Sequence, residues 1–197
     1  MKLILASTSP YRRRLLERLS LPFETEPPGT EESPQPGESP EALARRLSQA
    51  KAQDVASRFP DSLVIGSDQV ATVDGQLLNK PGDHSTATAQ LRSSAGKQVT
   101  FYTGVALRGI TSRLNLHHVE PFRVKFRPLS DEQIEYYLRT EQPYDCAGSF
   151  KCEGLGISLF EAMTGDDPTS LEGLPLITLT SMLTTAGYPV LKHSDAG

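Results

Sequence analysis

Residues 2–19 already demand a particular local architecture. Leu3-Ile4-Leu5-Ala6 is an unbroken apolar run of strand length, and Ser9-Pro10 comes almost at once after it. Serine offers a side-chain acceptor to a helix N-terminus, and proline suits the first turn. Leu15, Leu16 and Leu19 then recur at helical spacing. The unit is strand, polar turn, helix, with Arg12, Arg13 and Arg14 inside the first helical turns.

Helix and strand alternate through the rest of the chain. Glu24 to Glu41 holds six glutamates, five prolines and no lysine or arginine, which predicts an extended surface loop. Ser39-Pro40-Glu41 opens a second helix, with Leu43, Ala44, Leu47, Lys51 and Val55 along it, ended at Phe59-Pro60-Asp61. Leu63 to Gly66 reads as a buried strand running into Ser67-Asp68-Gln69, and Asp74-Gly75 as a hairpin turn. Lys80-Pro81-Gly82 is a loop and Ser85 to Ala95 a helix. Gln98 to Arg108 and Leu114 to Arg127 form a hairpin around Gly109, with Pro121 marking an edge or a bulge. Ser130 with Gln133 makes a capping box for a helix ending at Glu141. Asp145 to Gly156 is polar and glycine-rich, Ile157 to Ala162 a short strand, and Pro175 to Ala186 the closing helix. The last ten residues read as a frayed tail. The alternation is not a clean repeat of strand, helix, strand. The expected class is therefore α/β with a mixed, bent central sheet flanked by helices. Its 197 residues suit one domain, 1–197, pinched into two lobes with a cleft between them.

Charge excludes some functions. A formal net charge of -4 is wrong for bulk attraction to a nucleic-acid polymer, while a small phosphorylated ligand needs only a local positive cluster. No run approaches the ~20 apolar residues of a membrane span, and Met1 to Ala6 is too short for a signal peptide. Two cysteines, Cys146 and Cys152, make no disulfide framework and no four-ligand zinc site. A reduced, cytoplasmic setting is the expectation.

Several residues carry candidate chemistry. Ser7 to Arg14 brings hydroxyls, a helix N-terminus and guanidinium groups together, a cradle for phosphates or simply a capped helix with solvated arginines. Three consecutive arginines cannot all face one ligand, and Arg12, nearest the turn, is the chosen contact. Asp68 would bind a divalent metal or activate water, or else serve the turn through backbone N–H groups. Magnesium takes one or two carboxylates plus substrate phosphates, and one of Glu31 and Glu32 with Asp68 would supply that. Lys51 and Lys80 are candidate phosphate contacts, although a helical lysine is by default a surface one. In the loop Cys146 to Gly156, Glu153 would accept hydrogen bonds from the N1–H and N2–H donors of a guanine edge. Neither the Walker A pattern nor the dinucleotide fingerprint occurs.

Taken together, these segments resemble the Maf-like family. The resemblance rests on Leu5-Ala6-Ser7-Thr8-Ser9-Pro10 followed by arginines, then Glu32, Lys51, Ile65-Gly66-Ser67-Asp68-Gln69-Val70 and Lys80-Pro81. Phe101-Tyr102-Thr103-Gly104, Ala147-Gly148 and Gly173-Leu174-Pro175 continue it, in order, across roughly residues 2 to 187. It implies hydrolysis of a nucleoside triphosphate between the α and β phosphates, a divalent metal (Mg²⁺ or Mn²⁺), and an aspartate base at Asp68. Ser7, Arg12, Glu32, Lys51 and Lys80 fall on substrate and metal positions, Glu32 and Asp68 being the metal pair. A cytoplasmic enzyme and a homodimer are implied as well. Tyr11, where many members carry arginine, with Gln69 and Glu153, resembles the branch that prefers 7-methyl-GTP. Asn79 stands where many members have glycine before Lys-Pro. The alternatives are a dTTP/UTP pyrophosphatase of the same family, and a nucleotide-binding regulator of cell division without significant turnover. Methylation at N7 makes guanine cationic, and Tyr11 would stack on it with a cation–π gain of roughly 0.5–2 kcal/mol, while Glu153 opposes its charge.

Overall fold

The computed structural model describes residues 1–191. The expected frayed tail therefore falls, from residue 192 onward, outside the described residues. The chain opens with β1 (Leu3–Ala6), α1 (Pro10–Glu17), β2 (Glu24–Glu26), α2 (Pro40–Arg58), β3 (Leu63–Val73) and β4 (Gln76–Leu78). It continues with α3 (His84–Ser94), β5 (Gln98–Gly109), β6 (Leu114–Phe126), α4 (Asp131–Glu141), β7 (Phe160–Thr164) and α5 (Leu176–Thr185). Short 3₁₀ segments occupy Ala147–Ser149, Leu155–Leu159 and Pro168–Glu172. None of the described helices is long and apolar enough to cross a membrane.

All seven strands join one mixed sheet in the order β2-β1-β3-β5-β6-β7, with β4 also on β3. β1 runs parallel to β2 and β3, and the other pairs are antiparallel. The expected mixed α/β sheet is thus present. Most boundaries fall within a residue or two of the sequence reading, and three differences change the picture. Residues Glu24–Glu26, expected in a loop, pair with β1 and form its outer edge. The last strand starts at Phe160 rather than Ile157, because Leu155–Leu159 coils into 3₁₀ turns first. The third difference matters most. The strand through Asp68 does not stop there but continues to Val73, since β5 pairs with it from Val64 to Val73. Pro121 does stand on an edge, because β7 covers β6 only from Arg123 onward, and the register shift lies at Lys125/Phe126 instead.

The helix caps match the sequence closely. Ser9, Ser39 and Ser130 accept backbone N–H groups from Arg12, Ala42 and Gln133, and the Ser130–Gln133 box is reciprocal. Asp74 and Gly75 both take positive φ, as the turn between β3 and β4 requires.

Alternation along the strands divides the sheet into two faces. One face carries two apolar cores. Leu3, Leu5, Leu63, Ile65, Val105 and Leu107 pack under α1 and α5, with Leu15, Leu16, Leu179 and Leu183. Further along the same strands, Ala71, Val73, Val99, Phe101, Phe122 and Val124 pack under α3 and α4, with Leu91, Ile134 and Leu138. Phe101, Phe126, Phe150 and Phe160 meet edge to face there, with centroids 4.9–5.8 Å apart. Between the two cores lies a polar waist of Ser67, Gln69 and Thr103. The two cores are built on shared strands.

The other face holds α2. Two glycines let it lie close. A Cβ on Gly66 would stand 2.2 Å from the Ser48 carbonyl oxygen, and one on Gly104 would stand 2.3 Å from that of Ala44. Any side chain larger than hydrogen would lift α2 from the sheet.

Candidate active site

Along β3, pairing with β1 ends at Gly66, opposite Ala6, and pairing with β4 begins at Ala71, opposite Leu78. Between them, Ser67 to Val70 have no strand on that edge among the described residues. This notch is the floor of a cleft of about 640 Å³, within the size range of small-molecule sites. The nine residues to which the family resemblance gives a role all line it: Ser7, Tyr11 and Arg12 from one wall, Glu32, Lys51, Asp68 and Gln69 at the floor, and Lys80 and Glu153 at the rim, while Glu31, the other carboxylate of its pair, does not. They come from six separate segments, so the fold rather than local spacing brings them together.

At the centre is an ion cluster. Lys51 Nζ donates to Asp68 Oδ1 at 2.7 Å and lies 2.7 Å from Glu32 Oε1. Lys51 is buried, with only 7% of its side chain exposed, which corrects the default expectation of a surface lysine. The reason is positional. Lys51 continues the series Leu43, Leu47 and Val55 along the inward stripe of α2, where Leu43, Leu47 and Val55 are themselves buried. Asp68 is buried too, while Glu32 on the acidic loop is largely exposed. The carboxylate serving a turn, one sequence alternative for Asp68, is excluded by its place inside β3.

The helix-terminal wall behaves as expected. Ser7 is buried and its Oγ accepts the Ser9 N–H at 3.1 Å. Of the three arginines, Arg12 alone lines the cleft, while Arg13 turns outward to Glu17 at 3.2 Å. Arg12 Nε donates to the Gly173 carbonyl at 2.9 Å, which steers the guanidinium and leaves its terminal N–H groups for a ligand. Burial pulls its pKa down, and the charges of Asp68 and Glu32 oppose that shift, yet a guanidinium remains a cation at any ordinary pH.

The polar waist ties this wall to the sheet. Ser67 Oγ lies 2.8 Å from both the Gly104 and Gly173 carbonyls and shares its one proton between them. Thr103 Oγ1 donates to the Ser170 carbonyl at 2.8 Å. Gln69 Nε2 reaches the Ser170 and Leu171 carbonyls at 2.8 and 3.1 Å and Thr103 Oγ1 at 3.2 Å. Its amide nitrogen is fully engaged, so any contact with a ligand falls to its Oε1. Asp167 in turn pins the carbonyl-bearing segment, accepting from Thr169 N at 3.0 Å and Ile177 N at 2.8 Å. Sequence reasoning missed this support because backbone carbonyls leave no side-chain signature.

At the far end, the Tyr11 hydroxyl lies 3.2 Å from Asp145 Oδ2, and the Arg14 guanidinium sits 5.3 Å from the ring centroid. Burial first, then the neighbouring Cys146 and Asp145, push the Tyr11 phenol above its usual range. Glu153 is exposed at the rim beside Cys152. Glu172, another carboxylate of the cleft, has its pKa raised by burial and by the charge of Glu153. Sequence reasoning passed over it, since nothing marks it off from other helical glutamates. Cys146 and Cys152 are both free thiols.

The donor set bears on a metal. Glu32 and Asp68 converge on one cation, the ammonium of Lys51, so a pair of carboxylate oxygens is already aimed at a common point. Among the described residues no group of three His, Cys, Asp or Glu could hold an ion. An ion such as Mg²⁺ held by this pair would take its remaining ligands from water and substrate phosphates.

Comparison with known proteins gives one consistent answer. The model of the family described as Maf-like protein matches residues 2–186. A protein of Nitrosococcus oceani is 53% identical over 189 residues, covering 96% of this chain and 95% of its own. One from Polaromonas sp. is 55% identical over 195 residues, covering 99% and 88%. One from Methylobacillus flagellatus is 54% identical over 189 residues, covering 96% and 98%. All three bear the name 7-methyl-GTP pyrophosphatase.

Proposed function

The chain belongs to the Maf-like family, and from that premise we propose that it hydrolyses 7-methyl-GTP to the nucleoside monophosphate and pyrophosphate. The observation that carries this reading is the convergence of Arg12, Lys51, Lys80, Glu32 and Asp68 on one cleft. Cations line the wall and rim, and two carboxylates meet at the floor. That is the arrangement a triphosphate and an attacking water require.

In this reading Arg12 holds phosphate oxygens through its terminal N–H groups, and Lys80 does so from the rim. Ser7 and the start of α1 add donors at the phosphate end. Asp68 orients a water molecule toward the α phosphorus and takes its proton as the new P–O bond forms. The bond from the α phosphorus to the bridging oxygen breaks, and the electron pair leaves with pyrophosphate. General-base action of this kind contributes roughly 10²–10⁴-fold. Glu32 and Asp68 would hold a divalent metal, Mg²⁺ or Mn²⁺, whose chemistry is to neutralise charge on the phosphates as pyrophosphate departs. Tyr11 stacks on the cationic base, with Glu153 on its N1–H and N2–H edge and Gln69 Oε1 as a further acceptor. We place the reaction in the cytoplasm, in a single catalytic domain, consistent with two free thiols in the cleft.

The test is pyrophosphate release with Mg²⁺ across ordinary and modified nucleoside triphosphates, with Asp68→Asn beside the wild type. A lead for 7-methyl-GTP, lost by at least ~10²-fold in Asp68→Asn, is expected. Best turnover on dTTP or UTP would overturn the assignment of the base. No pyrophosphate from any substrate would leave a nucleotide-binding protein.

A further inference from the structure

Lys51 is placed unusually for a lysine meant only to hold phosphate. Its ammonium has three donors, and two of them are committed at 2.7 Å to the carboxylates that would hold the metal. Its stem is buried in the inward stripe of α2, so the charge cannot retreat into solvent. Asp68 is anchored on β3, whereas Glu32 sits on the loop before α2 with 60% of its side chain exposed.

We propose that Lys51 is an internal stand-in for the metal: it occupies the point shared by Glu32 and Asp68 and holds divalent cations off until nucleotide phosphates draw it away. The inference rests on the reading of Glu32 and Asp68 as the metal pair. The electrostatics are direct. An ammonium and a divalent ion on the same two oxygens repel one another at close range, so the carboxylates bind one or the other. Phosphate oxygens offer the ammonium an alternative anion, and its flexible four-carbon stem lets it turn toward them. Metal then enters with the nucleotide rather than ahead of it. A cleft guarded in this way does not fill with stray divalent ions, and Asp68 is not left as an unpaired buried charge, which is costly.

The experiment titrates Mn²⁺ into the full chain without nucleotide and counts free ion by electron paramagnetic resonance. Wild type is expected to bind weakly. Lys51→Met is expected to take up one ion per chain at least about tenfold more tightly, and Glu32→Gln added to it should abolish the gain. Equal affinity of wild type and Lys51→Met overturns the proposal, as does a gain that survives Glu32→Gln. Lys51→Gln repeats the measurement should the methionine variant fail to fold. In wild type, the ¹⁵N signal of the Lys51 ammonium should move when a non-hydrolysable triphosphate analogue is added without metal, and an unmoved signal also overturns it. Turnover enters none of these readouts, so a chain that binds Mn²⁺ as expected yet releases no pyrophosphate refutes the proposed function alone.

Discussion

Replacing Gly66 with alanine tests whether the close seating of α2 sets the active site. The new methyl would stand 2.2 Å from the Ser48 carbonyl oxygen and 2.6 Å from the Ala52 N. Carbon contacts settle near ~3.5–4.0 Å, so α2 must rise from the sheet by roughly 1 Å. Both atoms are backbone, and no side-chain rotation relieves them. Overpacking of this kind costs about 1–3 kcal/mol, within the roughly 5–15 kcal/mol available to a typical domain, so the variant still folds. Lys51 lies between Ser48 and Ala52, and the lift carries it off Asp68, now 2.7 Å away. A misplacement of about 1 Å at a reacting centre costs on the order of 10²-fold in rate. Urea unfolding and kcat/KM, measured together, should therefore both fall. Ile134→Val, buried on α4 away from the cleft, is the reference. It should lose about 0.5–1.5 kcal/mol with kcat/KM unchanged. If Gly66→Ala keeps its kcat/KM, or loses stability alone as the reference does, then the spacing of α2 does not govern the chemistry.

The same geometry sets other expectations. Tyr11→Arg should lower the preference for 7-methyl-GTP over GTP in kcat/KM by about 2- to 30-fold, the equivalent of the cation–π gain, and an unchanged ratio would remove Tyr11 from base recognition. The Glu172 carboxyl, raised by burial and by Glu153, adds stability below its unfolded pKa and loses it as pH rises through the folded value. Glu172→Gln should therefore gain in Tm relative to wild type on the neutral side of the carboxylate range, and a constant difference from acid to neutral pH would refute this. Burial pushes the Cys146 and Cys152 thiols up to about 12, so both should react slowly with iodoacetamide at neutral pH, and more slowly still with nucleotide present. Rapid labelling in the folded state would contradict it.

Much of the architecture was legible because it rests on local chemistry. Ser-Pro caps, the Asp74-Gly75 turn and the Ser130–Gln133 box act within a few residues, and each holds in the structure. The nine candidate residues were named through the family resemblance, and they all line one cleft. What stayed hidden depends on distant partners. Nothing near Gln69 says that β5 extends the strand past it to Val73. The burial of Lys51 could have been read from Leu43, Leu47 and Val55 at intervals of four, had the charge not suggested solvent. The waist escaped notice because its acceptors are carbonyls of residues 170–173, far along the chain.

That distance has a consequence in time. Ser67 and Thr103 sit at the middle of the sheet, yet the carbonyls of Gly173 and Ser170 that satisfy them lie 106 and 67 residues further on. Arg12 waits longer, its carbonyl coming 161 residues later. During synthesis, strands β1 to β6 are made while the Thr103 hydroxyl and the Arg12 guanidinium still lack these carbonyls and Ser67 has only that of Gly104. Long-range closures of this kind come late and slowly. Arg12 is therefore aimed only after the segment from Asp167 to α5 has docked, and a chain cut short before it carries all nine candidate residues of the cleft but no oriented guanidinium.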